Sequence, residues 1–253
     1  MKRILILGGT TEARRLAEGL ASRTDLAVTL SLAGRTAAPA AQAVPMRIGG
    51  FGGAEGLAAW LEAQAIDAVI DATHPYAAQI SANAAEAAAR AGVPLIAIER
   101  PAWEPVDGDR WIEVADMPTA VAALGSTPRR VFLALGRNEL RPFEAAPQHF
   151  YLVRSVDPVE PPLALPRVEY LTGRGPFHDT AEHALLVQHR IDVIVAKNSG
   201  GTATYGKIAA ANEIGLPVIM LRRPPLRAEA AKNVEQVLAR LDHLLASALA
   251  RGV

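Results

Sequence analysis

Residues 8–13, Gly-Gly-Thr-Thr-Glu-Ala, end the apolar run at residues 4–7 and open a stretch rich in Ala and Leu at helical spacing. A buried strand that turns sharply into a helix gathers unpaired backbone N–H groups and the positive end of the helix dipole at one point, which suits a phosphate. Gly8 and Ala13 fall at the first and third places of the Gly-x-Gly-x-x-Gly/Ala dinucleotide fingerprint, while Thr10 replaces the middle glycine. Gly8, Gly9, Thr10, Thr11 and Glu12 are therefore candidate cofactor contacts.

The next strand bears on which dinucleotide is bound. An NAD-selective site places an acid about 20 residues beyond the glycines to hold the ribose 2′-hydroxyl. Here Ser31, Gly34 and Arg35 stand at the strand's end and no acid does. A hydroxyl and a guanidinium can take a 2′-phosphate by charge-assisted hydrogen bonds, so NADPH is the expected cofactor. Gly50 and Gly52, within Gly49-Gly50-Phe51-Gly52-Gly53, would let the backbone pass close to the adenosine.

Two further loops carry polar chemistry. In Asp71-Ala72-Thr73-His74-Pro75-Tyr76-Ala77, Pro75 suits the first turn of a helix that Thr73 or His74 would cap, and Tyr76 would project toward the nicotinamide. Thr73, His74 and Pro75 are expected at the cofactor, with His74 readable as a proton donor, a substrate ligand or a cap. Tyr76 is expected to stack beside the reacting ring, orient it, or relay a proton. Lys197-Asn198-Ser199-Gly200-Gly201-Thr202, followed by Lys207, offers a cation, polar side chains and a glycine pair that opens backbone N–H groups, as a carboxylate ligand needs. Gly136 with Arg137, Arg154, and Gly173 with Arg174 repeat the theme of a cation after a strand, which implies a ligand bearing several carboxylates. His178, His183 and His189 share no helical face and no cysteine accompanies them, so no metal site is expected.

Short apolar runs alternating with helical patterns must position these loops, and they indicate an α/β protein with mainly parallel sheets. Strands are expected at 4–7, 27–31, 68–71, 95–98, 131–135, 150–154, 168–171, 193–196 and 218–221. Residues 66–101 and 191–224 read in parallel: Ile-Asp, a buried strand, an Ala-rich helix, Gly-x-Pro, a second strand, Arg-Pro. The repeat suggests two Rossmann-like lobes with a ligand cleft between them: a cofactor domain over 1–100, a connection over 101–128 and a substrate domain over 129–253.

Composition narrows the partners. Lys and Arg number 26 and Asp and Glu 26, so no net field would draw the chain to nucleic acid or an anionic membrane. The absence of cysteine removes disulfides and thiolate chemistry. The first apolar run is too short for a secretion signal and no charge-free stretch of about 20 residues exists, so the expectation is a cytoplasmic monomer outside the membrane.

Taken in order, residues 6–14, 48–53, 71–77, and 197–202 with Lys207 and 217–224, resemble the precorrin-6A reductase family of corrin-ring biosynthesis, over nearly the whole chain. The resemblance implies NADPH on the first lobe and a macrocyclic tetrapyrrole substrate. It also implies transfer of hydride to C19 and a proton to C18 of the ring, with neighbouring pathway enzymes as candidate partners. Tyr76, His74 and Lys197 are then the candidate catalytic residues. Tyr76, Gly136, Arg137, Arg154, Lys197, Asn198, Ser199, Gly200, Gly201, Thr202 and Lys207 are the candidate substrate contacts. The cobalt-bearing macrocycle is the alternative substrate, and a non-catalytic NADP-dependent tetrapyrrole-binding protein the alternative class. A short-chain reductase is disfavoured because no Tyr-x-x-x-Lys pair occurs.

Overall fold

A computed structural model describes residues 1–34, 39–224 and 229–250, with side chains as far as 247. Its chain divides into two compact units, residues 1–101 with 224–253, and residues 102–223.

The first unit runs β1 (Lys2–Leu7), α1 (Thr11–Leu20), β2 (Leu26–Leu32), β3 (Met46–Ile48), α2 (Gly53–Ala63), β4 (Ala68–Asp71), α3 (Ala78–Ala91) and β5 (Leu95–Ala97). The strands form one parallel sheet in the order β3-β2-β1-β4-β5. Helices cover both faces, so β1 is apolar at successive positions rather than at alternate ones. Ile4 and Ile6 face α1 residues Leu16 and Leu20, while Leu5 and Leu7 pack with Leu57 and Leu61 of α2 and Ala84 and Ala87 of α3. Strand order reverses between β1 and β4, and ligands of open α/β sheets bind beyond the carboxyl ends of the strands at such a point.

The second unit runs β6 (Arg110–Val114), α4 (Met117–Ala123), β7 (Arg130–Ala134), two 3-10 turns (Arg137–Glu139 and Arg141–Ala145), β8 (Phe150–Ser155), β9 (Val168–Thr172), α5 (Asp179–Gln188), β10 (Val193–Lys197), α6 (Gly206–Glu213) and β11 (Pro217–Leu221). Its sheet is also parallel, in the order β6-β11-β10-β7-β8-β9, and reverses between β7 and β10. The internal repeat is real at the level of structure. β4-α3-β5 and β10-α6-β11 are both strand–helix–strand units whose two strands pair in parallel.

All nine expected strands form, but the expected domain boundaries do not match the two units. The stretch read as a connection contains β6, hydrogen-bonded to β11, and α4, capped by the Asp116 side chain on the Thr119 N–H at 2.8 Å. The C-terminal segment belongs to the first unit. Ala231 exchanges backbone bonds with Ala97 and Glu99 beside β5, and α7 (Val234–Ala250) then lays Val237, Leu241 and Leu245 into the core with Ile4 and Leu16. That apolar stripe at helical spacing would otherwise face water. No helix of the described residues is long and apolar enough to cross a membrane.

Candidate functional site

At the reversal point of the first sheet lies a cleft of about 170 Å³, lined by Gly8, Ser31, Ala33, residues 49–53, Thr73, Ile80 and Asn83 among others. The turn between β1 and α1 is built for close approach. A Cβ on Gly8 would lie 2.6 Å from Leu30 Cδ1 and 3.2 Å from Ala13 Cβ, and Gly9 has φ +111°. Thr10, where the fingerprint has glycine, accepts the Ala13 N–H at 3.1 Å as the cap of α1 and donates to the Ala72 carbonyl at 2.7 Å. Its hydroxyl thus ties the glycine turn to the loop after β4. Thr11 is exposed at the start of α1, and Glu12 forms an ion pair with Arg100. Glu12 is therefore held within the fold, favoured there also by the helix dipole.

Ser31 is buried at the end of β2 and lines the cleft, and none of its lining residues among those described is acidic. Gly34, with φ +75°, lies against Gly49. Arg35 lies outside the described residues. A cation that sequence reading missed stands beside Ser31: Arg47 pairs with it across β2 and β3, and its Nη1 is 3.3 Å from Ser31 Oγ. The signal that could have found it is the parallel pairing of β3 with β2, which puts the strand's one cation next to the hydroxyl. Gly50 and Gly52 border the cleft, with Gly52 in the left-handed region as the N-cap of α2.

The loop after β4 departs from expectation. Helix α3 begins at Ala78 with Ala77 as N-cap and no side-chain cap, so Pro75 and Tyr76 lie in a turn closed by the Ala77 N–H on the His74 carbonyl at 2.7 Å. Thr73 does not cap the helix. Its hydroxyl donates to buried Asp71 at 2.7 Å and meets Ser81 Oγ at 3.2 Å, which fixes the loop. His74 accepts the Tyr76 N–H through Nδ1 at 3.3 Å, and the two rings lie 5.7 Å apart. In neutral His74 the proton then sits on Nε2. Pro75, Thr10, Glu12 and Thr73 line a second, small cavity.

In the second unit, Lys197 at the end of β10 and Glu139 after β7 meet across the reversal point, with both carboxylate oxygens 2.7 Å from the ammonium. Gly136 donates its N–H to the same carboxylate at 3.0 Å. Gly200 and Gly201 have φ +67° and +73°, which shape the loop that Ser199 and exposed Thr202 share. Arg137 is exposed, donates to the Pro158 carbonyl at 3.2 Å, and lies with Arg174 about Asp157 at 4.0 and 3.9 Å.

Three expected substrate contacts are instead internal. Asn198 is buried and exchanges both amide atoms with the Trp103 backbone at 2.8 Å, while Trp103 Nε1 donates to the Gly201 carbonyl at 2.7 Å. It acts as a staple for the loop. Arg154 makes a two-point pair with buried Glu182 and lies over Phe177 at 3.7 Å. Lys207 is buried on α6, donates to the Thr204 carbonyl, and has its ammonium 5.0 Å from the Trp103 ring. A sequence shows these cations but not the carboxylate and aromatic faces that α5 and the segment before β6 bring to them.

Burial, aided by Arg154 and opposed by Glu182, pulls the Lys207 pKa from 10.5 to about 7. The unfolded chain therefore binds an extra proton between about pH 7 and 10.5, and stability should rise with pH across that window. Lys207→Met should remove the rise, as read from urea unfolding over that range, whereas parallel profiles for the two proteins would contradict the burial argument.

Comparisons with known proteins place the chain in a family. A family model described as precorrin-6x reductase CbiJ/CobK matches residues 3–242. A precorrin-6A reductase from Sinorhizobium sp is 57% identical over 247 residues, covering 97% of this chain and 95% of the relative. A solved CobK precorrin-6A reductase superposes with a TM-score of 0.92 at 50% identity, covering 96% of this chain and 97% of that one. A cobalt-precorrin-6A reductase from Priestia megaterium is 30% identical over 235 residues, covering 88% of this chain and 91% of the relative.

Proposed function

The chain belongs to the precorrin-6x reductase family of cobalamin biosynthesis, and we propose that it reduces precorrin-6A to precorrin-6B with NADPH, adding hydride at C19 and a proton at C18. The observation that carries the cofactor reading is the cleft of the first unit, where the glycine turn after β1, the N-terminus of α2, the Ser31 hydroxyl and, among the described residues, no acid line one space. NADPH supplies the hydride when bound; the protein's part is alignment, exclusion of water and a proton.

Gly8 and Gly9 let the backbone come close to a pyrophosphate, and the N–H groups opening α1 would hold its oxygens. Asp71 and Thr73 fix the loop that carries His74 and Tyr76, and those two are the first unit's candidates for orienting the ring and delivering the proton. Lys197 and the glycine loop after β10 would engage the acetate and propionate groups of the macrocycle, with Arg137 as a further exposed cation. Lys197 would then exchange Glu139 for a substrate carboxylate or share its proton between them. The cobalt-free macrocycle is the substrate proposed, because the relative at 57% identity carries that name and the cobalt-named relative stands at 30%.

The test is oxidation of NADPH dependent on added precorrin-6A, with a product two hydrogens heavier. Oxidation only with the cobalt form would move the substrate assignment, and tight binding of both ligands without turnover would make the protein a carrier. For the anchoring role, Lys197→Ala should lower kcat/KM for the macrocycle about 10–100-fold, the range for losing a hydrogen bond to a charged group, while the dissociation constant of NADPH stays unchanged. Steady-state kinetics with a parallel cofactor titration check this. Unchanged substrate parameters with lowered stability would make the loop structural.

A further inference from the structure

We propose that Arg47 is the residue that selects the phosphorylated dinucleotide, its guanidinium and the neighbouring Ser31 hydroxyl taking the 2′-phosphate of the adenosine ribose. The proposal rests on the NADPH reading above and names the side chain that enforces it.

Arg47 is held by groups that line the cleft. Nη1 lies 3.3 Å from Ser31 Oγ and 2.5 Å from the Gly49 carbonyl, Nη2 lies 2.7 Å from the Gly50 carbonyl, and the guanidinium sits 3.7 Å over the Phe51 ring. Ser31, Gly49, Gly50 and Phe51 are all lining residues of the cleft. These partners orient the cation without cancelling it: a hydroxyl, two carbonyls and an aromatic face carry no net charge. Partial burial pulls the pKa of Arg47 below its ordinary value, the opposite of Arg23, whose pKa is raised by its bonds to Asp25 and Asp242. A planar cation fixed by stacking at the end of the second and third strands is pre-organised for a dianionic group, because little rotamer freedom is left to lose on binding. Its partner Ser31 stands at the end of the second strand, where NAD-selective sites put an acid to hold the ribose.

An equally simple role would be structural: Arg47 could clamp only the glycine loop through the Gly49 and Gly50 carbonyls. The two roles differ in what they do to a ligand lacking the 2′-phosphate. Calorimetric titration of 2′,5′-ADP and 5′-AMP into the wild-type protein, Arg47→Gln and Arg47→Lys separates them. The expected result is that Arg47→Gln weakens 2′,5′-ADP by about 10–100-fold, as for a charged hydrogen-bond partner, and changes 5′-AMP by less than about 3-fold. Arg47→Lys, which keeps the charge and loses the fork, should retain part of the discrimination. Equal loss for both ligands, or discrimination undiminished in Arg47→Gln, overturns the assignment. Should Arg47→Gln fail to fold, Arg47→Lys decides alone: reduced discrimination supports the proposal, and full discrimination overturns it. A wild-type protein that does not distinguish the two ligands refutes the NADPH reading itself, whereas preference that survives in the variants refutes only the role of Arg47.

Discussion

Glu182→Ala is expected to destabilise the protein by about 3–5 kcal/mol, because it strands the Arg154 guanidinium in the interior of the second unit. The pair is buried on both sides, with 9% of the Arg154 side chain and 3% of the Glu182 side chain exposed. Its surroundings already include Lys207, whose pKa Arg154 lowers. Replacing both partners, as in Arg154→Met with Glu182→Leu, should restore most of the loss, since exchanging a buried ion pair for apolar groups of similar volume is often neutral or better. Urea unfolding reads this as a lower midpoint at unchanged slope for the single variant and recovery in the double. If Glu182→Ala instead kept its stability and raised KM for the macrocycle, Arg154 would be a substrate ligand after all, as its position near the end of β8 first suggests.

Gly56→Ala should oppose the ordinary effect of that substitution. In an exposed helix interior, alanine is favoured over glycine by about 0.5–1 kcal/mol. In α2, however, a Cβ on Gly56 would lie 1.9 Å from the Phe51 carbonyl oxygen, a backbone atom that cannot swing aside. Relief requires moving residues 49–53, which line the cleft and hold Arg47. Net destabilisation of about 1–3 kcal/mol is expected, as for overpacking, together with at least about tenfold weaker dinucleotide binding. Thermal unfolding and cofactor titration check both, and a stabilised variant with intact binding would show that the loop approaches α2 less closely than described.

The strands were legible where a parallel sheet buries them on both faces, since 4–7, 131–135 and 193–196 are continuous apolar runs closed by glycine or polar residues. Strands β3 and β6 escaped for the opposite reason. Both are sheet edges, and Arg47, Arg110 and Glu113 break the apolar pattern there. The return of α7 to the first unit was not legible, because an amphipathic helix shows that it has a core face but not which core it covers. In the candidate site, glycine loops and cations could be read from type and spacing. Which polar side chains are available to a ligand could not, because Glu182, Glu139 and the Trp103 backbone come from distant segments. Arg47 was hidden likewise, since only the register of β2 with β3 brings it to Ser31.

The central claim is that the first unit's cleft holds NADPH and that its hydride is delivered to the macrocycle. NADPH carrying deuterium at the transferred nicotinamide position, reacted with precorrin-6A and followed by mass spectrometry and NMR of the product, tests it most directly. The account predicts one cofactor-derived deuterium at C19 of the reduced ring. A reduced product free of deuterium, its hydrogens drawn from another donor, would contradict it.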